Sequence, residues 1–123
     1  RIYLLCAVPY VDLLSITSAA DIGVSLIQPR GVSNSYALPN KLFEYALSGI
    51  PTLASNLPNM AKHIADYNLG WCVEPKNLSQ QIKVVQDYQS LPKEKLSFNL
   101  NNNVSLSWES QQNTFLNFIL NEN

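Results

Sequence analysis

The chain has 123 residues, 46% of them hydrophobic and 14% charged, which suits one globular domain with one core and argues against extended disorder. Its net charge is −1 and its Lys and Arg residues are scattered, so no basic stripe tracks a nucleic-acid backbone, and a DNA or RNA partner is disfavoured. No apolar run approaches the roughly 20 residues of a membrane span, and the first residues have neither the charge pattern nor the cleavage site of a signal peptide.

Arg1 stands directly ahead of a strand-like run, without Met or a polar lead-in, and the expectation is a fragment of a longer protein. IYLLC, residues 2–6, is short, apolar and unbroken, as a strand buried on both faces would be. Cys6 in that run and Cys72 in WCV read as buried small hydrophobes of a reduced, cytosolic chain, a disulfide being the alternative. Pro9 opens the helical stretch YVDLLSITSAA, which Asp21 closes, and IGVSLI, residues 22–27, is the second strand. QPRGVSNSYA, residues 28–37, is a Gly/Ser/Asn/Pro loop.

The stretch LPNKLFEYALSGIP, residues 38–51, predicts a helix with sorted faces. At about 100° per residue, Asn40, Lys41, Glu44, Tyr45 and Ser48 share one side, and Leu42, Phe43, Ala46 and Leu47 the other. Pro39 suits its first turn and Gly49 the left-handed position after its last. TLAS, residues 52–55, is the third strand; residues 57–67 are a helix ending near Gly70; WCVE, residues 71–74, is the fourth strand. Leu78, Ile82 and Val85 mark a helix over 77–90, and Trp108, Phe115, Leu116 and Ile119 another over 107–120. Between them the Asn run of PKEKLSFNLNNNV predicts a break.

About four short strands separated by helices predict an α/β domain with a mostly parallel sheet and helices on both faces. Ligands in such sheets sit at the carboxyl ends of the strands. The loop 28–37 lies on that edge, and its ten residues exceed what a simple connection needs. A helix N-terminus offers unpaired N–H groups and about half a positive charge, so Ser33, Asn34, Ser35 and Lys41 suit a phosphate. Glu44, one turn in on the side of Asn40 and Lys41, can accept hydrogen bonds from the vicinal hydroxyls of a ribose. The alternative is a solvated Glu44 paired with Lys41, worth roughly 0.2 to 0.5 kcal/mol.

Several blocks carry a resemblance: AADIGVSLI from Ala20, a Ser-containing loop, LPNKLFEYALSGIPTLAS, LG before WCVEP, and SWESQ near the end. In order and spacing they resemble, over nearly the whole chain, the C-terminal domain of family 4 glycosyltransferases with the GT-B fold. The resemblance implies a partial Rossmann-like domain spanning residues 1–123, about the C-terminal two-thirds of the family's nucleotide-sugar-binding domain, in which strands run 3-2-1-4-5-6. It also implies a retaining transferase that uses a UDP- or GDP-linked sugar without a bound metal or other cofactor. By position, Glu44 matches the glutamate that holds the ribose hydroxyls, the second of a Glu-x7-Glu pattern whose first member is replaced here by Tyr36. Ser33, Asn34, Ser35, Tyr36 and Ala37, with Leu38, Pro39, Asn40 and Lys41 at the helix start, correspond to the part that cradles the diphosphate and donor sugar. Tyr36 is placed to stack on or hydrogen-bond that sugar.

The resemblance further implies that the first two strands, the diphosphate-gripping Arg and Lys, and the acceptor-binding half lie outside this chain. No catalytic residue is therefore assigned, and the isolated chain is expected to be inactive. The strand of residues 2–6 would lack its neighbours, which predicts a dimer through an exposed strand edge or a rearranged small sheet. The expected function is donor binding for transfer of a hexose-type sugar to a polysaccharide or lipid-linked acceptor, in a cytoplasmic bacterial protein whose parent can work at the inner face of the membrane. The alternatives are a non-catalytic nucleotide-sugar or protein-binding module and a nucleotide-sugar epimerase fragment. His63 reads as an exposed or capping helix residue; with Cys6 and Cys72 it lacks metal-ligand spacing. Asp21 reads as a turn-capping carboxylate, and Trp71, Trp108 and the tyrosines as core or interface.

Overall fold

Proline, glycine and asparagine set the ends of the elements in the computed structural model, which describes residues 2–92 and 103–121. Pro9 precedes α1 (Tyr10–Thr17), followed by β1 (Gly23–Ser25), a one-turn helix α2 (Val32–Ser35), and α3 (Asn40–Leu47) entered from the extended Pro39. Then come β2 (Thr52–Ser55), α4 (Pro58–Tyr67), β3 (Gly70–Val73), α5 (Leu78–Ser90), a 3-10 turn at Asn103–Leu106, and α6 (Trp108–Asn121). Gly49 leaves α3 with φ 73°, and the Ile50 amide reaches back to the Tyr45 carbonyl at 3.1 Å, the left-handed exit its sequence position predicts. Asn68 does the same for α4 at φ 51°, and the Asn77 side chain caps α5 by accepting from the Gln80 amide at 3.0 Å. The break expected in the Asn-rich stretch falls mainly on residues 93–102, outside the described residues.

The strands form one parallel sheet in the order β1-β2-β3, with Gly23 opposite Thr52 and Thr52 opposite Gly70. The chain is thus α/β, with a three-stranded open parallel sheet flanked by helices, compatible with a partial Rossmann-like fold. Side chains alternate across β2. Ala54 faces the core that α3 and α4 build with Leu42, Ala46, Leu57, Met60, Ile64 and Leu69. Leu53 points to the opposite face, where α5 lies with Ile82 and Val85, and where Trp71 meets Tyr88 edge-on at 5.5 Å. Leu42 and Met60 are fully buried, each contributing about 1.5–3 kcal/mol by leaving water. Leu47, assigned by pattern to the core side of α3, is exposed, so the buried stripe of that helix is narrower than its apolar residues suggest.

Three expectations are corrected. Residues 2–6 form no strand: they are exposed and pair with neither open edge of the sheet, β1 bonding β2 alone, and an apolar run that docks on no ladder has no strand hydrogen bonds to make. Cys6 is consequently an exposed free thiol instead of a core residue, whereas Cys72 is half-buried and burial pushes its thiol pKa up. The loop 28–37 is also not irregular throughout, since α2 tightens its middle, with the Ser35 amide and hydroxyl both on the Gly31 carbonyl, at 3.0 and 2.9 Å.

Candidate functional site

The β1 strand has an open outer edge. In a parallel ladder alternate residues turn their N–H and C=O to opposite sides. The Gly23 amide bonds the Pro51 carbonyl at 2.9 Å, toward β2, so the backbone of Val24 faces away. There the Tyr45 hydroxyl donates to the Val24 carbonyl at 3.3 Å. Tyr45 lies over Gly23 so closely that a Cβ at Gly23 would sit 2.3 Å from its ring. Partial burial, helped by the neighbouring Glu44 carboxylate, raises the Tyr45 pKa.

Beside this edge a cleft of about 580 Å³ runs between the end of β1 and the start of α3, lined by Val24, Ser25, Leu26, Ile27, Pro39, Asn40 and Lys41. It lies at the carboxyl end of the strand, where a parallel sheet places ligands. No side chain caps the first turn of α3; the Leu42 amide turns back to the Pro39 carbonyl at 3.0 Å, which leaves the amides of Asn40 and Lys41 without a helical partner at the cleft. Lys41 adds a cation there. Glu44, four residues after Asn40, occupies the same side of the helix one turn on; it is half-buried. The Lys41–Glu44 ion pair is not formed, and among the described residues no hydrogen bond or ion pair engages the Glu44 carboxylate.

Of the residues singled out in the sequence, Pro39, Asn40 and Lys41 line this cleft and Glu44 extends their face. Ser33, Asn34, Ser35, Tyr36, Ala37 and Leu38 do not line it. Ser33 and Asn34 are exposed on α2, and the amides of Ser35, Tyr36 and Ala37 bond within their own turn, to Gly31, Val32 and Asn34. Tyr36 is 60% exposed and its carbonyl accepts from Asn59 Nδ2 at 2.7 Å, while Leu38 packs against the core. His63 is neither exposed nor capping: it is partly buried between Phe43, edge-on at 6.0 Å, and Tyr67, stacked at 6.1 Å, with Nδ1 2.9 Å from the Asn59 carbonyl. Of the two tryptophans, Trp71 is half-buried and Trp108 is 62% exposed.

Sequence reasoning passed over Ser55 and Asn59. A serine inside the buried run of β2 was the available signal for the first, because a hydroxyl in a core must find partners. Ser55 finds them at Ile27, in the wall of the cleft. A second cleft, of about 660 Å³, lies where Pro29 faces Glu74, Pro75, Lys76, Asn77, Leu78 and Ser79, with the Glu74 carboxylate held by Asn56 Nδ2 at 2.9 Å.

No family model matches the chain, and no curated protein or solved structure matches it either.

Proposed function

We propose that this chain is the donor-binding portion of a retaining glycosyltransferase, which holds a UDP- or GDP-linked sugar for transfer of a hexose-type unit to a polysaccharide or lipid-linked acceptor on the cytoplasmic side. The observation that carries the reading is the pairing of the uncapped α3 start, lining a cleft at the carboxyl end of β1, with a Glu44 carboxylate one turn further along the same face. The leading amides and Lys41 suit a diphosphate, and the carboxylate, with no partner among the described residues, suits the two hydroxyls of a ribose. The sequence blocks resembling family 4 glycosyltransferases support the same assignment of Glu44.

The amides of Ser35, Tyr36 and Ala37 bond within their turn, so in this reading the α3 start does the work of the phosphate cradle and Ser33 to Ala37 form its rim. The open edge of β1 supports a further part of the reading: the acceptor site and the remaining diphosphate ligands come from structure that pairs there, and the isolated chain does not turn over.

Titration of the chain with UDP, GDP and ADP, followed by backbone amide shifts, tests it. Shifts are expected at Leu26, Ile27 and from Asn40 to Glu44, and Glu44→Ala is expected to weaken binding by about tenfold or more through loss of charge-assisted hydrogen bonds. A folded chain that shifts with none of the three nucleotides refutes the reading.

A further inference from the structure

The end of β1 that walls the cleft is held by a side chain. The last paired register between β1 and β2 is Ser25 opposite Ala54. One step beyond, the Ser55 hydroxyl replaces the next rung of the ladder: it accepts from the Ile27 amide at 2.7 Å and donates to the Ile27 carbonyl at 2.8 Å. Ser55 is fully buried and Ile27 half-buried, so both bonds are partly shielded from water. Four residues later Asn59, on the first turn of α4, donates from Nδ2 to the Tyr36 carbonyl at 2.7 Å. The segment from Ser55 to Asn59 thus grips the connection between β1 and α3 at two points, Ile27 and Tyr36.

We propose that Ser55 and Asn59 are positioning residues, a splint that fixes both ends of the loop 28–35 and so sets the spacing between the β1 wall and the α3 wall of the cleft. Eight residues lie between the two pinned points. With both ends anchored to the buried strand β2 and the helix that follows it, the loop has already lost the freedom that ligand binding would otherwise have to remove. Neither side chain lines the cleft, so each acts through the backbone it holds. The positioning role rests on the nucleotide reading above, whereas the splint itself can be read without ligand.

Both are tested on the full chain by amide hydrogen exchange without ligand and by UDP titration. In Ser55→Ala the Ile27 amide loses its partner and is expected to exchange at least about tenfold faster, with UDP affinity falling about tenfold. Asn59→Asp keeps the side-chain shape but removes the donor. It is expected to loosen the amides from Tyr36 to Leu38 and weaken UDP several-fold at an unchanged melting temperature, which keeps the test decisive if Ser55→Ala fails to fold. Unchanged exchange over residues 27–38 in Asn59→Asp, and in Ser55→Ala where it folds, overturns the splint. Faster exchange with undiminished UDP affinity overturns the positioning role and leaves the nucleotide reading in place. A wild-type chain that takes up no UDP, GDP or ADP overturns the nucleotide reading and the positioning role with it, and the exchange data then decide the splint alone.

Discussion

Tyr45 couples the candidate helix to the free strand edge, and its titration has a readable consequence. Its pKa is raised above the ordinary 10.0, first by burial and then by the nearby Glu44 carboxylate. Burial likewise raises Cys72 above 9.0, and raises Tyr88, whose hydroxyl donates to the Asp21 carbonyl at 2.7 Å. In each case the folded state holds the proton more tightly than the unfolded chain. The resulting stability is fully present below the unfolded pKa values and is lost as pH rises through the folded ones. Urea midpoints should therefore hold steady up to about pH 9 and fall beyond it. Tyr45→Phe should flatten that fall relative to wild type; an identical slope would show that the phenol does not contribute. At this scale the place of Glu44 on the polar side of a short helix was legible in the sequence, because it follows from local periodicity. Ser55 and Asn59 were not, since their partners lie 28 and 23 residues away.

At the level of elements, two glycines make opposite demands. Gly49 has φ 73° with open space where a Cβ would stand, so Gly49→Ala meets only backbone strain and should lower stability by about 1–2 kcal/mol. Gly70 starts β3 at φ 145°, and a Cβ there would lie 2.1 Å from the Thr52 carbonyl oxygen and 2.6 Å from its nitrogen. Backbone in the middle of a sheet cannot step aside. Gly70→Ala is expected to cost about 3 kcal/mol or more, or to abolish folding. Chemical denaturation of both variants checks the contrast, and equal losses would contradict the close approach of β2 and β3. The left-handed exit at Gly49 was evident from its place after an amphipathic helix. The role of Gly70 was hidden, because only the pairing of two strands brings Thr52 against it.

For the molecule as a whole, three strands leave much apolar surface uncovered. Ile2 and Leu4 are more than 90% exposed, and Trp108, Phe118 and Leu120 on α6 are more than half exposed. Among the described residues no helix is long and apolar enough to cross a membrane. Exposed hydrophobic runs together with an unpaired β1 edge favour association with other chains. Sedimentation over a range of concentrations is expected to show self-association that Leu4→Ser with Leu5→Ser reduces; a monomer at every concentration would contradict it. The α/β class was legible because βα alternation and the apolar runs of β1, β2 and β3 are local. The fate of residues 2–6 was not, since their pattern is that of a buried strand, and whether such a run docks on an open sheet edge is decided by tertiary contacts and not by its own residues.

Local chemistry accounts for the helix boundaries, the left-handed glycine after α3, the alternation that makes the sheet parallel, and the polar side of α3 that carries Asn40, Lys41 and Glu44. Each depends on residues within a few positions of one another, where propensity, capping and periodicity act. Tertiary structure alone decided which strand edge stays open, that the amides after Asn34 turn inward, and that Ser55 and Asn59 hold the loop. Those outcomes depend on which backbone groups find partners across long sequence separations, and a hydrogen bond between distant residues leaves no periodic trace in either of them.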